Sequence, residues 1–417
     1  MVTVLILLAI FFSFFCSFVL NKQYLALLLV IIASSQMAPK AYTLIYIILF
    51  AAILHFLHTF LKSKQNKSFL WILLLPIAYI LAILFIQPYK ININHYLGYL
   101  SALFIFAWTA LIKWNSKEIV NFLSIYGSYL ILAGFIEKAV TDNIRVGISL
   151  TVATAYAVVL VVTWTIWITI CFLEKIHTKK IIVMGTFLVF LAIILSGTRM
   201  GLLGIFMGLV LCGLSFVLSK NKKINTSKIV SYSVVVIITV LLLSIVVWKM
   251  LPDDLFIKKS FSSLLSGKMD ESNTGRVVVW VSALNIFKDN KFLGIGAGNF
   301  YIKFKTFLKT TGLYYTSPAL VTAQAHNTNL HAHNIYLMVL TEHGIIGFIL
   351  LSIFIFSCLF QFFIYFFKTG LNPNFYALLS GFIVIAILGL VDSISMYLPT
   401  TGFAAWFFGT CASFKEK

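Results

Sequence analysis

Short polar connections interrupt this chain roughly every twenty residues, and between them it is almost wholly apolar. Runs such as 148–173, 200–219 and 335–367 match the roughly 17–25 residues a helix needs to cross a bilayer. Inside lipid no water satisfies backbone N–H and C=O groups, so each run must close its own hydrogen bonds as a helix. Further runs lie at 2–20, 41–61, 69–87, 96–112, 119–136, 181–197, 229–250 and 376–396, with shorter ones at 24–35 and 402–414. The expected fold is an all-α polytopic membrane protein of about 12–13 transmembrane helices. With 61% of its 417 residues hydrophobic, 10% charged and a mean hydropathy of +1.02, the chain is excluded from the soluble globular class.

The first run, Val2 to Leu20, lacks a basic start and a small-residue cleavage site, so it reads as a span and not as a cleaved leader. The cysteines at 16, 171, 212, 358 and 411 all fall in apolar runs and read as small buried hydrophobes. No CxxC, HExxH or Asp-x-Asp pattern occurs, so neither zinc nor a carboxylate-held magnesium is expected, and no cofactor. No internal repeat points to a transporter. No nucleic-acid partner is expected.

Lysine-rich connections at 61–68, 113–118, 174–180 and 219–228, with the tail "FKEK", assign those loops to the cytoplasm. The alternating connections then face outward, including a long segment, 252–332, that is large enough for a small domain and carries a net charge of +4. Three regions follow: transmembrane helices over 1–250, a large helical outer loop over 251–332, and transmembrane helices over 333–417. The first two runs fit only with an outward N-terminus.

Of 31 basic residues only three are arginines, Arg145, Arg199 and Arg276, and each falls beside a membrane boundary on the outer side. The positive-inside rule disfavours cations there. A guanidinium grips phosphate oxygens two at a time and keeps its charge when partly desolvated, so three of them suit a pyrophosphate. The bland alternative is that each snorkels to headgroups or pairs with Asp142, Asp270 or Glu271. Arg199, in "ILSGTRMGLLGI", sits within a few residues of hydrocarbon. Arg276 opens "GRVVVWVSALNIFKDNKF", where Val277, Trp280, Ala283 or Leu284, and Phe287 recur at helical spacing, as for an amphipathic helix on the membrane surface. "GIGAGNF" (294–300) reads as a tight turn more readily than as a nucleotide loop.

In "LHAHNIYLMVLTEHGIIGFIL", His333 heads a stripe with Leu337, Leu340, Gly344 and Gly347, the glycines letting another helix approach closely. An imidazole at that outer end can take a proton from a sugar hydroxyl near neutral pH, or it can simply cap the helix. His326 and His331 are alternative bases, and Glu342 with His343 lies too deep for the same chemistry and would pack against the long loop or another helix.

The order of these motifs, "SGTRMGLL", "GRVVVW…NIFKDNKFLGIGAGNF" and H-N-x9-G-x2-G, resembles the O-antigen ligase and polymerase superfamily of bacterial membrane glycosyltransferases over roughly 140–415. The resemblance implies a GT-C-like enzyme of the bacterial inner membrane with its site facing the periplasm, using neither metal nor nucleotide sugar. It would move a glycan from an undecaprenyl-diphosphate donor, with inversion, to lipid A-core oligosaccharide. The runner-up, a polymerase, would join lipid-linked repeats instead; a lipid-linked glycan transporter is the reading from another class. By the same resemblance His333 is the base or acceptor-positioning residue, Arg199 and Arg276 grip the diphosphate, and Arg145 has a less defined role. Asn334, Gly344, Gly347, His331 and His326 support the site, and Asp392 would orient His333 or an arginine.

Overall fold

The computed structural model describes residues 2–35, 42–63, 93–140, 153–220, 271–310, 331–390 and 398–414, with Leu74 and Ile77. All regular structure among the described residues is helical. In chain order the helices are α1 (Val2–Phe14, continued by a π-helical turn at Phe15–Val19), α2 (Gln23–Ser35), α3 (Tyr42–Lys62), α4 (Ile93–Leu111), α5 (Ser116–Val140), α6 (Ala153–Glu174) and α7 (Lys179–Ser196). After them come α8 (Arg199–Lys220), α9 (Glu271–Asp289), α10 (Phe300–Thr310), α11 (Ile335–Thr369), α12 (Pro373–Leu388) and α13 (Leu398–Ser413). Among the described residues, five helices (α5, α6, α7, α8 and α11) are long and apolar enough to cross a membrane, and shorter apolar helices accompany them. The chain is an all-helical polytopic membrane protein. The expected spans 229–250 and, apart from Leu74 and Ile77, 69–87 lie outside the described residues.

The bundle is built around α6, in which every residue from Thr154 to Cys171 is buried. A helix apolar on all sides belongs in the middle of other helices, and α5, α7, α8 and α12 surround it. Its indoles tie it to two of them: Trp164 Nε1 donates to Thr186 Oγ1 of α7 at 3.2 Å, and Trp167 Nε1 to Ser124 Oγ of α5 at 2.8 Å. The glycines that follow Arg199 serve this packing. A Cβ at Gly204 would come within 2.8 Å of Val161 Cγ1, and one at Gly208 would strike Thr165, so α8 lies against α6 backbone to side chain. Outward-facing Val183, Met184 and Phe187 on α7, and Ile349, Ile353, Phe356 and Phe360 on α11, give the exterior the apolar character that lipid requires.

A second group joins α1 to α4 with α13. It holds a polar network that an apolar reading of the first 130 residues did not foresee. Gln23 Oε1 accepts from Thr59 Oγ1 at 2.9 Å and Trp108 Nε1 at 3.0 Å, while Gln23 Nε2 donates to Ser17 Oγ at 3.0 Å. Beside it, His55 is stacked between Phe14 and Trp108 and shares a 3.1 Å hydrogen bond with Ser13. Gln23 thus joins α1, α2, α3 and α4 at one point. Gln23→Ala is expected to lower stability by about 1–3 kcal/mol, because it strands the buried Trp108 indole N–H away from water, whereas Thr59 can still donate to His55 O; thermal unfolding in detergent measures it.

All five cysteines are outside disulfides and four are buried, as small apolar fillers are.

Candidate functional site

The turn before α11 carries the histidines. Asn334 adopts an extended conformation and caps the helix: its Oδ1 accepts from Tyr336 N and Leu337 N, each at 3.0 Å. Its Nδ2 donates to Leu390 O at 2.9 Å, and Ile335 N donates to Gly389 O at 2.9 Å, so the start of α11 is fastened to the end of α12. Tyr336 adds a third tie, its hydroxyl donating to Ala386 O at 2.9 Å. His333 therefore stands outside the helix, and the expected helical stripe beginning at His333 is corrected: capping belongs to Asn334. His333 is instead held in the left-handed region, with φ 47°, which a non-glycine residue occupies only where its surroundings demand it. Its backbone N–H donates to Nδ1 of buried His331 at 3.2 Å, and the two rings lie 4.1 Å apart between centroids.

Nine residues into α11 the helix breaks at Gly344, where φ 65° and ψ −171° leave helical space. The expectation that Gly344 admits a neighbouring helix is also corrected, since what it admits is the loop 291–300. A Cβ there would collide with the Phe292 carbonyl, and one at Gly294 would collide with the Glu342 backbone. Around this contact the two backbones pair. Ile295 N donates to Thr341 O at 3.0 Å, Gly296 N to Glu342 O at 2.8 Å, and Ile345 N to Lys291 O at 2.8 Å. Gly294, Gly296 and Gly298 all have positive φ. The turns let the loop follow α11 closely, and at its end fully buried Glu342 accepts at Oε1 from Gly298 N at 2.8 Å and Phe300 N at 3.4 Å. The reading of 294–300 as a tight turn agrees with this geometry, as does the expectation that Glu342 packs against the long loop.

The wall of the site also takes residues from α4, which sequence reasoning missed. Tyr96 Oη accepts from Ala297 N at 3.2 Å, and the Tyr99 ring lies 5.7 Å from that of His343. The signal was present as two tyrosines three residues apart at the outer end of an apolar run.

Helix register locates the described arginines. Helix α9 runs parallel to α11, since Ala283 O accepts from Thr341 Oγ1 at 3.3 Å and Lys291, beyond the helix end, meets Ile345. Arg276 lies seven residues before Ala283 and Asn334 seven before Thr341, so half-buried Arg276 lies toward the same end of the helix pair as Asn334. Val279 and Ala283 share an apolar cluster with Ala332 and Met338, consistent with that alignment. The buried face of α9 is Val279, Ala283 and Ile286, while Leu284 is exposed, so the expected membrane-surface helix is corrected to one packed along α11. The strongly amphipathic helix is α10, with Phe300, Phe304 and Leu308 buried.

Helix α8 runs antiparallel to α12: Ser215 Oγ lies 3.3 Å from Ser380 Oγ, and a Cβ on Gly204 would sit 3.1 Å from Leu388. Arg199, five residues before Gly204, lies beyond that contact, toward the end of α12 that holds the Asn334 cap. It is half-buried and is the first residue of α8, after the left-handed Gly197 turn. A helix N-terminus adds its own partial positive charge to the guanidinium. Arg145, His326 and Asp392 lie outside the described residues. Among the described residues no group of three or more His, Cys, Asp or Glu side chains gathers to hold a metal ion.

One end of the bundle thus carries a left-handed histidine and the arginine-bearing ends of two helices, and a glycine loop binds Glu342 further along α11. Residues 184–352 match the model of the O-Antigen ligase family. The resemblance to the O-antigen ligase and polymerase superfamily is thereby borne out. The matched segment runs from within α7 through the first half of α11, so it contains Arg199, Arg276, His326, His331, His333, Asn334, Glu342, Gly344 and Gly347. Arg145 and Asp392 fall outside it. A comparison with curated proteins found no match to the chain. The O-antigen ligase family indicates a ligase- or polymerase-type activity on lipid-linked glycans in a membrane setting.

Proposed function

We propose that the protein is an inverting glycosyltransferase that moves O-antigen glycan from undecaprenyl diphosphate to lipid A-core oligosaccharide at the periplasmic face of the bacterial inner membrane. What supports this reading is the family match over 184–352, which contains Arg199, Arg276 and His333, together with the packing that directs the arginine-bearing ends of α8 and α9 to the end of the bundle where the His333 turn lies. Arg199, at the N-terminus of α8, and Arg276 hold the two phosphates of the donor, Arg145 assists them, and the polyprenyl tail stays in lipid. A ring nitrogen of His333 takes the proton of the acceptor hydroxyl, whose oxygen bonds to the anomeric carbon. The bond from that carbon to the donor phosphate breaks, and undecaprenyl diphosphate leaves. Attack on the face opposite the leaving group inverts the centre. Positive charge fixed where negative charge develops is the largest source of acceleration such a site offers, and the hydroxyl needs only general-base help. Asp392 would orient one of these groups.

The decisive assay gives purified protein an undecaprenyl-diphosphate glycan and offers lipid A-core or a second donor in parallel. Modification of lipid A-core supports the ligase. A ladder of lengthened lipid-linked glycan without that acceptor makes the protein a polymerase, and no transfer to either acceptor overturns the reading.

Arg199→Lys keeps the charge but loses the planar fork. Its transfer rate is expected to fall about a hundredfold, a difference of roughly 3 kcal/mol for one bidentate charged contact. Wild-type turnover by this variant would show that a point charge suffices.

A further inference from the structure

We infer that Glu342, which touches neither reacting group, is a positioning residue that sets the register of the Arg276 helix against the His333 turn. The inference rests on the glycosyltransfer reading above and adds a residue to it.

Helix α9 leads through residues 290–299 into α10, and that connection is bolted to α11 on both sides of the Gly344 break. On one side Lys291 and Phe292 carbonyls accept from Ile345 and Ile346. On the other, Thr341 and Glu342 carbonyls accept from Ile295 and Gly296, and the Glu342 carboxylate takes the two N–H groups that open α10. The last of these is the side-chain contact in the clamp. Away from the loop, α9 meets α11 through an apolar cluster and the Thr341–Ala283 bond. Apolar contacts resist separation but slide with little penalty, because dispersion and hydrophobic burial are not directional. Hydrogen bonds are directional, so the axial position of Arg276 relative to His333 is set by the clamp together with the Thr341–Ala283 bond. The second Glu342 oxygen, Oε2, is buried and has no hydrogen-bond partner among the described residues. The clamp accordingly requires an acceptor at the Oε1 position, which glutamine supplies and alanine does not.

That distinction makes the test specific. Glu342→Gln keeps the acceptor, Glu342→Asp keeps the charge but withdraws it by one methylene, and Glu342→Ala removes both. Because Arg276 holds one of the donor phosphates, its displacement in the Ala variant should raise the donor KM and lower kcat together, kcat by about a hundredfold, the effect of a roughly 1 Å misplacement. Glu342→Asp should fall with it, and Glu342→Gln should stay within about fivefold of wild type. Because the effect runs through Arg276, Glu342→Ala should add little to Arg276→Lys but multiply with Arg199→Lys. A merely structural lesion would multiply with both.

Amide exchange over 291–300 supplies a readout apart from catalysis: Gly298 and Phe300 should lose protection by at least about tenfold in the Ala variant and keep it in the Gln variant. If wild type transfers no glycan while exchange responds as stated, the glycosyltransfer reading falls and the clamp stands. Wild-type kcat in Glu342→Ala, or in Glu342→Asp should the Ala variant fail to fold, overturns the inference. So does multiplication of the loss with Arg276→Lys, or unchanged exchange.

Discussion

Removing the His333 imidazole should abolish glycan transfer and leave the protein folded. The structure separates the two roles that a histidine at a helix start can combine. Capping of α11 is carried by the Asn334 side chain, and the tie to α12 by Asn334, Ile335 and Tyr336. None of these bonds uses the His333 ring, so its loss leaves the cap in place. A general base contributes about 10²–10⁴-fold, and His333→Ala should cost a factor in that range in kcat. Alanine tolerates φ 47° less readily than asparagine, which visits the left-handed region more often. His333→Asn is therefore the cleaner variant, keeping the turn and deleting the base. Both should retain wild-type unfolding temperatures to within a few degrees, measured alongside transfer to lipid A-core. Activity of His333→Asn within about threefold of wild type would move the base elsewhere, with His331 next in line because its Nδ1 already meets the same turn.

Gly344→Ala should be the most damaging small substitution in the chain. Its backbone lies where φ 65° and ψ −171° confine it, a region essentially reserved for glycine, which alone costs about 1–3 kcal/mol. A methyl group would also strike the Phe292 carbonyl, whose neighbours form the clamp. The loop 291–300 would have to lift from α11, releasing Glu342 from Gly298 and Phe300 and taking the α9 register with it. Lowered unfolding temperature, fast exchange over 291–300 and loss of transfer should appear together. Gly370 provides the control: it has φ 95°, yet nothing lies within 4 Å of where its Cβ would be. Gly370→Ala should show conformational strain without loop release, so its exchange over 291–300 should match wild type. Equal damage from both substitutions would mean that strain, and not the collision with Phe292, governs the effect.

The membrane class, the helical character and the sites worth testing were legible because each rests on a local property. A run of twenty apolar residues satisfies its own backbone wherever it lies, and Arg199, two residues past Gly197, cannot travel far from the span it ends. The His-Asn pair marked the start of α11 correctly. What failed was the assumption that its motif is continuous helix. His333 stands outside it and Gly344 breaks it, and both outcomes depend on partners distant in sequence, Leu390 in one case and Phe292 in the other. The face of α9 was misjudged for a related reason. Of the expected Val277, Trp280, Ala283 or Leu284, and Phe287, Ala283 is the one in the cluster with α11, beside Val279 and Ile286, while Leu284 is exposed. Periodicity reports that a helix has an apolar side; it does not report which side a particular neighbour can approach.

Glu342 shows the limit most clearly. A lone acid in an apolar helix must find donors or raise the energy of the fold, and that much could be read from "VLTEHGIIG". That the donors are the N–H groups of Gly298 and Phe300, more than forty residues earlier, could not. The sequence alone determined that this chain spans a membrane as helices and which polar groups stand at their ends, since hydration of a backbone in lipid is settled within each segment. Only the tertiary structure decided that the glycine loop grips Glu342 and that the start of α11 is fastened to the end of α12, because those facts are distances between segments, and distances arise when the segments pack.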